Sequence, residues 1–452
     1  MWQVFLKTKK KDETFWNFDS TGGILKPIEG GGNKRPFLYT IAWHDKDKKL
    51  INNIFDFISC CHKGVTISNY LNIFRGFLLM FGEPQNIYPY GIVTDCCFAF
   101  LNSIQFVFKG LTIIGYLDIC YEFLFNSMQA SELFSKISIF SFLDSVHFLK
   151  MISNKTKKMK VDKYVKITFN YFFTILQNCI ILDEFKKYYA CIIQVLASKK
   201  KTAQFNEAFN TLNEFLQKRS DDIEENTVEI EEGTDVDKSV QDDGEDDDQE
   251  IIIIDDGGEN ESETDSKETK KKEKKTNKIE TTIRKSSKFN TFFNNFMNDK
   301  LIEINLANNL ANSFNTNLDD NEYYSKAFLK ILDSYMYLMP YWSGCMLNKK
   351  SNLENENLKT RVHNNTVEGK FKITKHSTLN GLKDNMPMEI STKFYKSIGA
   401  NSMSYQIEKS DGTYMPIEMI EDNWGCRGDN KNRRNTYQTR GKLIYFLEDF
   451  SG

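Results

Sequence analysis

The stretch "WNFDSTGGILKP" (residues 16–27) decides how the chain is read. Two aromatics and an Asn lead to Asp19, and Ser-Thr-Gly-Gly follows at once. An apolar run that ends in an acid and then a glycine turn is how a strand delivers a carboxylate to the edge of a sheet. Taken alone, Asp19 reads more simply as a turn residue. Its neighbourhood changes that. "TFWNFD", "PFLYTIAW" and "KKLINNIF" are three strand-like runs, separated by "GGILKPIEGGGNKR" and "HDKD". Runs joined this way predict an antiparallel meander over residues 14–60.

Residues 66–82 have helical apolar spacing and end at Gly82, a plausible C-cap. "NIYPYGIVTD" is then a short apolar strand ending in Asp95, and "CCFAFLNSIQFVF" continues with helical spacing. "KISIFSFLDSVHFLKMI" repeats the pattern: an apolar run, Asp144, then a helix carrying His147. A strand, an acid at its end, then a helix is where open α/β sheets place their chemistry. Three strands followed by alternating helix and strand predict an α/β fold with a mixed sheet.

Residues 150–218 are helical by period. The composition then changes: 219–290 is dense in charge and poor in core formers, so a disordered acidic segment is expected there. Helical spacing resumes at "KFNTFFNNFMNDKLIEINLANNLANSF" and runs to "KAFLKILDSYMYLMPYW". The expected organisation is a first core part at 1–149 and a helical insertion at 150–340, interrupted by the acidic segment. A last core part follows at 341–400, with a polar, basic tail at 401–452. A helix is expected at 364–380, with Glu368, Phe371 and Lys375 on one face.

A net charge of −3 selects no class of partner by itself. Nine Cys with no metal-ligand spacing read as thiols of a reducing compartment. Cys60, Cys61 and His62 are adjacent, but neighbouring side chains diverge, and zinc sites use spaced pairs. The N-terminus lacks a secretory apolar region. The most apolar stretch, 96–125, is interrupted by Asn102, Gln105, Lys109, Asp118 and Glu122, which argues against a simple membrane span. A nuclear or cytoplasmic, non-secreted protein without a membrane partner is expected.

The order of these elements resembles the DDE transposase domain of Mutator-like elements, the MULE transposases. The resemblance rests on "FDSTGGILKP" followed by "RPFLYTIAW", on "PYGIVTDCCFAFLNSI", on "DSVHFLKMI", and on "MPYWSG" followed at a distance by "NNTVEGKFKITK". It covers residues 14–125, 137–152 and 335–380. It implies an RNase H-like core with a large helical insertion, in which Asp19, Asp95 and Glu368 bind Mg²⁺ or Mn²⁺ and catalyse DNA cleavage and strand transfer. Members often carry Cys-x-x-His after the second acid. Here the residues are Asp144 and His147, either outer partners of the metal site or an N-cap and a packed His. Such transposases are expected to work as homo-oligomers.

Arg361, Lys370, Lys372 and Lys375 surround Glu368 and are expected to contact DNA phosphates, unless they only solvate a helix face. "EIIIIDD" (Glu250–Asp256) resembles a motif that docks on SUMO or a SUMO-modified protein by adding a strand, and a chance apolar island explains it equally well. "KTKKMK" and "KKKEKK" read as nuclear localisation signals or as solvating runs. Mutator-like transposases usually place a DNA-binding region ahead of the core, and little chain precedes Asp19. The alternative to an active enzyme is therefore a truncated or domesticated, non-catalytic DNA- or protein-interaction module. A third reading has the acids as helix caps in a structural α/β protein.

Overall fold

The computed structural model describes residues 15–22, 36–45, 50–80, 88–157, 159–227, 279–313 and 318–347. The expected meander forms as β1 (Phe15–Thr21), β2 (Phe37–Asp45) and β3 (Leu50–Ser59). Helix α1 (Gly64–Leu79) leads to β4 (Gly91–Thr94). Helices α2 (Phe98–Lys109), α3 (Ile113–Phe125) and α4 (Ala130–Lys136) precede β5 (Phe140–Leu143). The strands form one mixed sheet in the order β3-β2-β1-β4-β5. β1, β2 and β3 are antiparallel neighbours, whereas β4 runs parallel to β1 and β5 parallel to β4. The chain is thus a mixed α/β protein.

Period-two alternation sends the side chains of each strand to two faces. On one face Trp16 and Phe18, both 0% exposed, join Tyr39, Phe57, Leu71, Phe74 and Ile104 in a core shared with α1 and α2. Phe18 packs on the Phe100 ring at 4.8 Å, and Tyr39 stacks on Phe57 at 4.4 Å. On the other face Val93, Phe140 and Phe142 join a larger, helix-built core. Short β4 and β5 are buried along their whole length. Continuous apolar runs of this kind are what a parallel strand covered on both faces requires.

The second core is the helical layer. It comprises α5 (Ser145–Lys157), α6 (Lys163–Asn178), α7 (Leu182–Ala197), α8 (Ala203–Thr227), α9 (Lys288–Ser313), α10 (Lys326–Met336) and the one-turn α11 (Met339–Trp342). Aromatic rings hold it together. Phe148 stacks on Trp342 at 5.0 Å, and Phe169 on Phe328 at 4.3 Å. Asn321 ties the layer to the end of α7, donating to the Val195 and Ser198 carbonyls at 2.7 and 2.6 Å. Tyr90, ahead of β4, donates to the Met346 carbonyl at 2.6 Å, so the end of this layer is fixed to the sheet.

Two boundaries differ from the sequence reading. The segment expected to lose structure at 219 is helical through Thr227, and residues 279–286 are helical before α9. Ile283 and Phe289 are buried in the helical core. Apolar anchors inside a polar composition therefore extend the ordered chain. Gly82, the expected cap of α1, lies outside the described residues, and Met80 stands at that helix's C-cap. Among the described residues no single helix is long and apolar enough to cross a membrane; α2 and α3 reach that composition only as a pair bent by 74°.

Gly91 is where β4 and β5 press closely together on the side of the helix-built core. A Cβ there would lie 2.6 Å from the Phe142 ring and 3.3 Å from the Phe140 carbonyl oxygen. Gly91→Ala must push β4 and β5 apart or turn Phe142 from its packed position. The expected cost is about 1–3 kcal/mol, the usual range for overpacking a core. Urea denaturation of the full chain measures it, and a stability equal to wild type would show that the sheet yields there.

Candidate functional site

Strand register brings the candidate acids together. In the β1/β4 ladder Asn17 pairs with Val93. Continued two residues past this last pair, the register carries Asp19, still in β1, and Asp95, which directly follows β4, to the same end of the two strands. In the β4/β5 ladder Thr94 pairs with Leu143, and the Asp144 N–H donates to the Thr94 carbonyl at 2.9 Å. Asp144 therefore stands beside Asp95 on the other side. Adjacent strands lie about 4.8 Å apart, so three carboxylate-bearing residues occupy neighbouring places along one row. The row continues into the meander, where Asp19 pairs with Thr40 and Thr40 with Asp56. The Thr40 hydroxyl donates to the buried Asp56 carboxylate at 2.7 Å.

Each acid is held differently. Asp19 accepts from the Ser20 N–H at 2.6 Å and is partly exposed. Asp95 lies in the tight turn from β4 into α2, where the Cys97 N–H donates to its carbonyl at 2.7 Å. Asp144 is 1% exposed and caps α5, accepting from the His147 N–H at 2.7 Å. An Asp at this position satisfies an otherwise unpaired N–H of the first turn. The cap reading of Asp144 is thus correct, and it coexists with a place in the carboxylate row.

His147 spans the row. Its Nδ1 lies 2.8 Å from Asp95 Oδ1 and 3.6 Å from Asp144 Oδ1. The shorter contact is an ion pair for a protonated ring, and its direction departs from hydrogen-bond geometry. The His147 side chain is about a third exposed, and so is that of Asp95. The first turn of α5 thus places an imidazole over the acid that follows β4.

Two thiols mark the electrostatic character of the spot. Burial pushes Cys96 up to about 12, with Cys97, Glu280 and Asp95 adding to the rise. Cys97 is also raised, chiefly by burial, with the charges of Asp95 and Asp19 contributing against two backbone N–H groups. Glu280, within reach of Cys96, had no signal in the sequence, because it belongs to a segment read as charged and unstructured.

Among the described residues no group of three or more His, Cys, Asp or Glu is arranged to hold a metal ion. The donor chemistry of Asp19 and Asp95, hard carboxylate oxygens on neighbouring strands, suits Mg²⁺ or Mn²⁺ rather than a softer ion. Glu368, Arg361, Lys370, Lys372 and Lys375 lie outside the described residues, as does the 250–256 run. Cys60, Cys61 and His62 form no such group either. His62 Nδ1 instead meets the Tyr39 hydroxyl, and Cys61 Sγ accepts from the Thr66 hydroxyl at 3.3 Å.

Geometry thus defines a mixed α/β protein with a row of carboxylates where its parallel strands end. The chain is similar to the "120.7 kDa protein in NOF-FB transposable element" of Drosophila melanogaster, with 28% identity over 141 residues. The matched stretch is 31% of this chain and 12% of the length of the fly protein. This distant, partial likeness supports a transposon-related origin. No family model matches the chain, and no solved structure matches it.

Burial lowers His62 to about 4 from its ordinary 6.5. Between these values the unfolded chain binds a proton that the native state does not. The stabilisation is therefore complete above the unfolded value and is lost as pH falls toward the folded one. After allowance for partial exposure, the expected loss between about pH 7 and pH 5 is on the order of 1 kcal/mol. Comparing the pH dependence of denaturation in wild type and His62→Gln isolates this contribution. Equal slopes in the two proteins would contradict it.

Proposed function

We propose that the chain carries a DDE-type transposase core of the Mutator-like kind, with an RNase H-like sheet and a helical insertion. Its reaction would be DNA strand cleavage and strand transfer. One observation carries the reading: the β1/β4 register, continued two residues beyond Asn17 and Val93, leads Asp19 and Asp95 to the same end of parallel strands, in a chain similar to a transposable-element protein. The strand order β3-β2-β1-β4-β5, antiparallel over the first three strands and parallel over the rest, supports the RNase H-like assignment.

On this reading Asp19 and Asp95 hold Mg²⁺ or Mn²⁺, with Glu368 as the third acid. The bound ions would polarise the scissile phosphodiester and lower the pKa of the attacking hydroxyl or water. The protein's own groups do the positioning. The β1/β4 ladder fixes the spacing of the two carboxylates. Asp144 anchors the first turn of α5, which aims His147 at Asp95. A carboxylate so paired is held in one orientation. DNA is the partner, Arg361, Lys370, Lys372 and Lys375 would add phosphate contacts, and the nucleus would be the place of action. SUMO docking through Glu250–Asp256 and homo-oligomerisation stay with this reading.

A second reading is a non-catalytic, domesticated module. It is favoured by His147 already lying against Asp95.

DNA cleavage and strand transfer with Mn²⁺ separate the two. Asp19→Asn and Asp95→Asn should each lower cleavage by roughly a hundredfold or more. His147→Ala should lower it by about 10–100-fold, the usual effect of removing an outer partner. Unchanged circular dichroism would exclude unfolding as the cause. DNA binding without cleavage, or cleavage indifferent to both Asp substitutions, would leave the non-catalytic module.

A further inference from the structure

At the opposite end of β4 and β5 from the carboxylates lies a cavity of about 850 Å³. It is built by α1 (Asn72, Arg75), the last turn of α2 (Phe106, Lys109), Tyr88 ahead of β4, and Phe134 near the end of α4. From Tyr88 to Asp95 the chain runs through β4, so the cavity and the acids are on the order of 20 Å apart. No residue of the proposed catalytic row lines it.

Three observations point to a ligand. First, among the described residues the charged ones lining the cavity are Arg75 and Lys109, both cationic. Second, two buried polar atoms have no hydrogen-bond partner among the described residues, the Tyr88 hydroxyl and Arg75 Nε. Tyr88 is only 7% exposed. Folded proteins pair most of their buried polar groups, and an unpaired one calls for a partner such as a water, an ion or a ligand. Third, Phe106 is 52% exposed at the cavity wall, a large ring turned from the core of its own helix. Lys109 also complements the negative C-terminal end of α2, so Arg75 and Tyr88 carry the argument.

We propose that this cavity is a second binding site that takes a nucleotide. Arg75 and the Tyr88 hydroxyl donate to its phosphate with support from Lys109, and its base lies against the ring of Phe106. A volume of this order suits a small organic ligand and exceeds what a lone anion fills. Cations beside an exposed aromatic ring match a phosphate that carries a planar base. A free mononucleotide and an unstacked nucleotide of a single DNA strand present the same chemistry.

Calorimetry on the full chain with dAMP, inorganic phosphate and a short single-stranded oligonucleotide tests the assignment. dAMP or the oligonucleotide should bind, and binding should weaken about tenfold or more in Arg75→Gln and in Tyr88→Phe. Binding of dAMP marks a free nucleotide as the ligand. Binding of the oligonucleotide alone marks a nucleotide within a strand. Tyr88→Phe should keep or raise the Tm, because it removes an unsatisfied hydroxyl, so weaker binding there cannot be ascribed to unfolding. Asp19→Asn should bind as wild type does, which makes this test independent of the catalytic reading. The proposal fails if neither nucleotide probe binds, if binding ignores both substitutions, or if inorganic phosphate binds as tightly as dAMP.

Discussion

Backbone pairing of Phe15–Asn17 with Gly91–Val93 joins the antiparallel half of the sheet to its parallel half. The first three strands can form locally through short connections. β4 and β5 arrive only after helices have crossed the sheet, and each must find its neighbour in one register. A slip of one residue would turn Val93 and Phe142 out of the helical core and Ile92 out of the other. Burial on both faces therefore fixes the register. The register in turn sets Asp19, Asp95 and Asp144 side by side. The position of the polar row is a by-product of apolar packing two residues away.

The two cores differ in kind. Under α1 and α2, aromatic side chains from antiparallel strands form a compact cluster. Across the sheet, α3 to α11 build a far larger core dominated by stacked and edge-on rings. Within the larger core Gly91 lets β4 and β5 close up, because only a residue without a side chain leaves room for Phe142. The chain's 36 Phe residues are largely spent in these two clusters.

Much of this was legible in the sequence. Strand-like apolar runs and the Gly-rich or charged turns between them exposed the meander, and an apolar run ending in Asp exposed β4 and β5. Asp19 and Asp95 could be paired only through an assumed topology, since nothing local links them. What escaped notice has a common cause. The contact of His147 with Asp95, open in the sequence as one of two readings, depends on a ladder between strands separated by three helices. Glu280 sits in a segment whose charge hid its buried Ile283. Arg75, Tyr88 and Lys109 come from three elements and share a cavity without sharing a motif. Residues 219–227 looked unstructured by composition, yet α8 runs through them, because a helix already anchored by Phe205 and Leu212 extends at little further cost.

His147 and Phe148 are neighbours on the first turn of α5, and they look in different directions. One stands over Asp95; the other is clamped against Trp342 deep in the helical layer. A single helical turn cannot move one without moving the other. The aromatic interior of the helical layer and the acid at the strand end are therefore mechanically geared. Drift in the packing of that remote interior would be felt at Asp95 as a change of angle and distance, although those buried rings lie far from the acid in the chain.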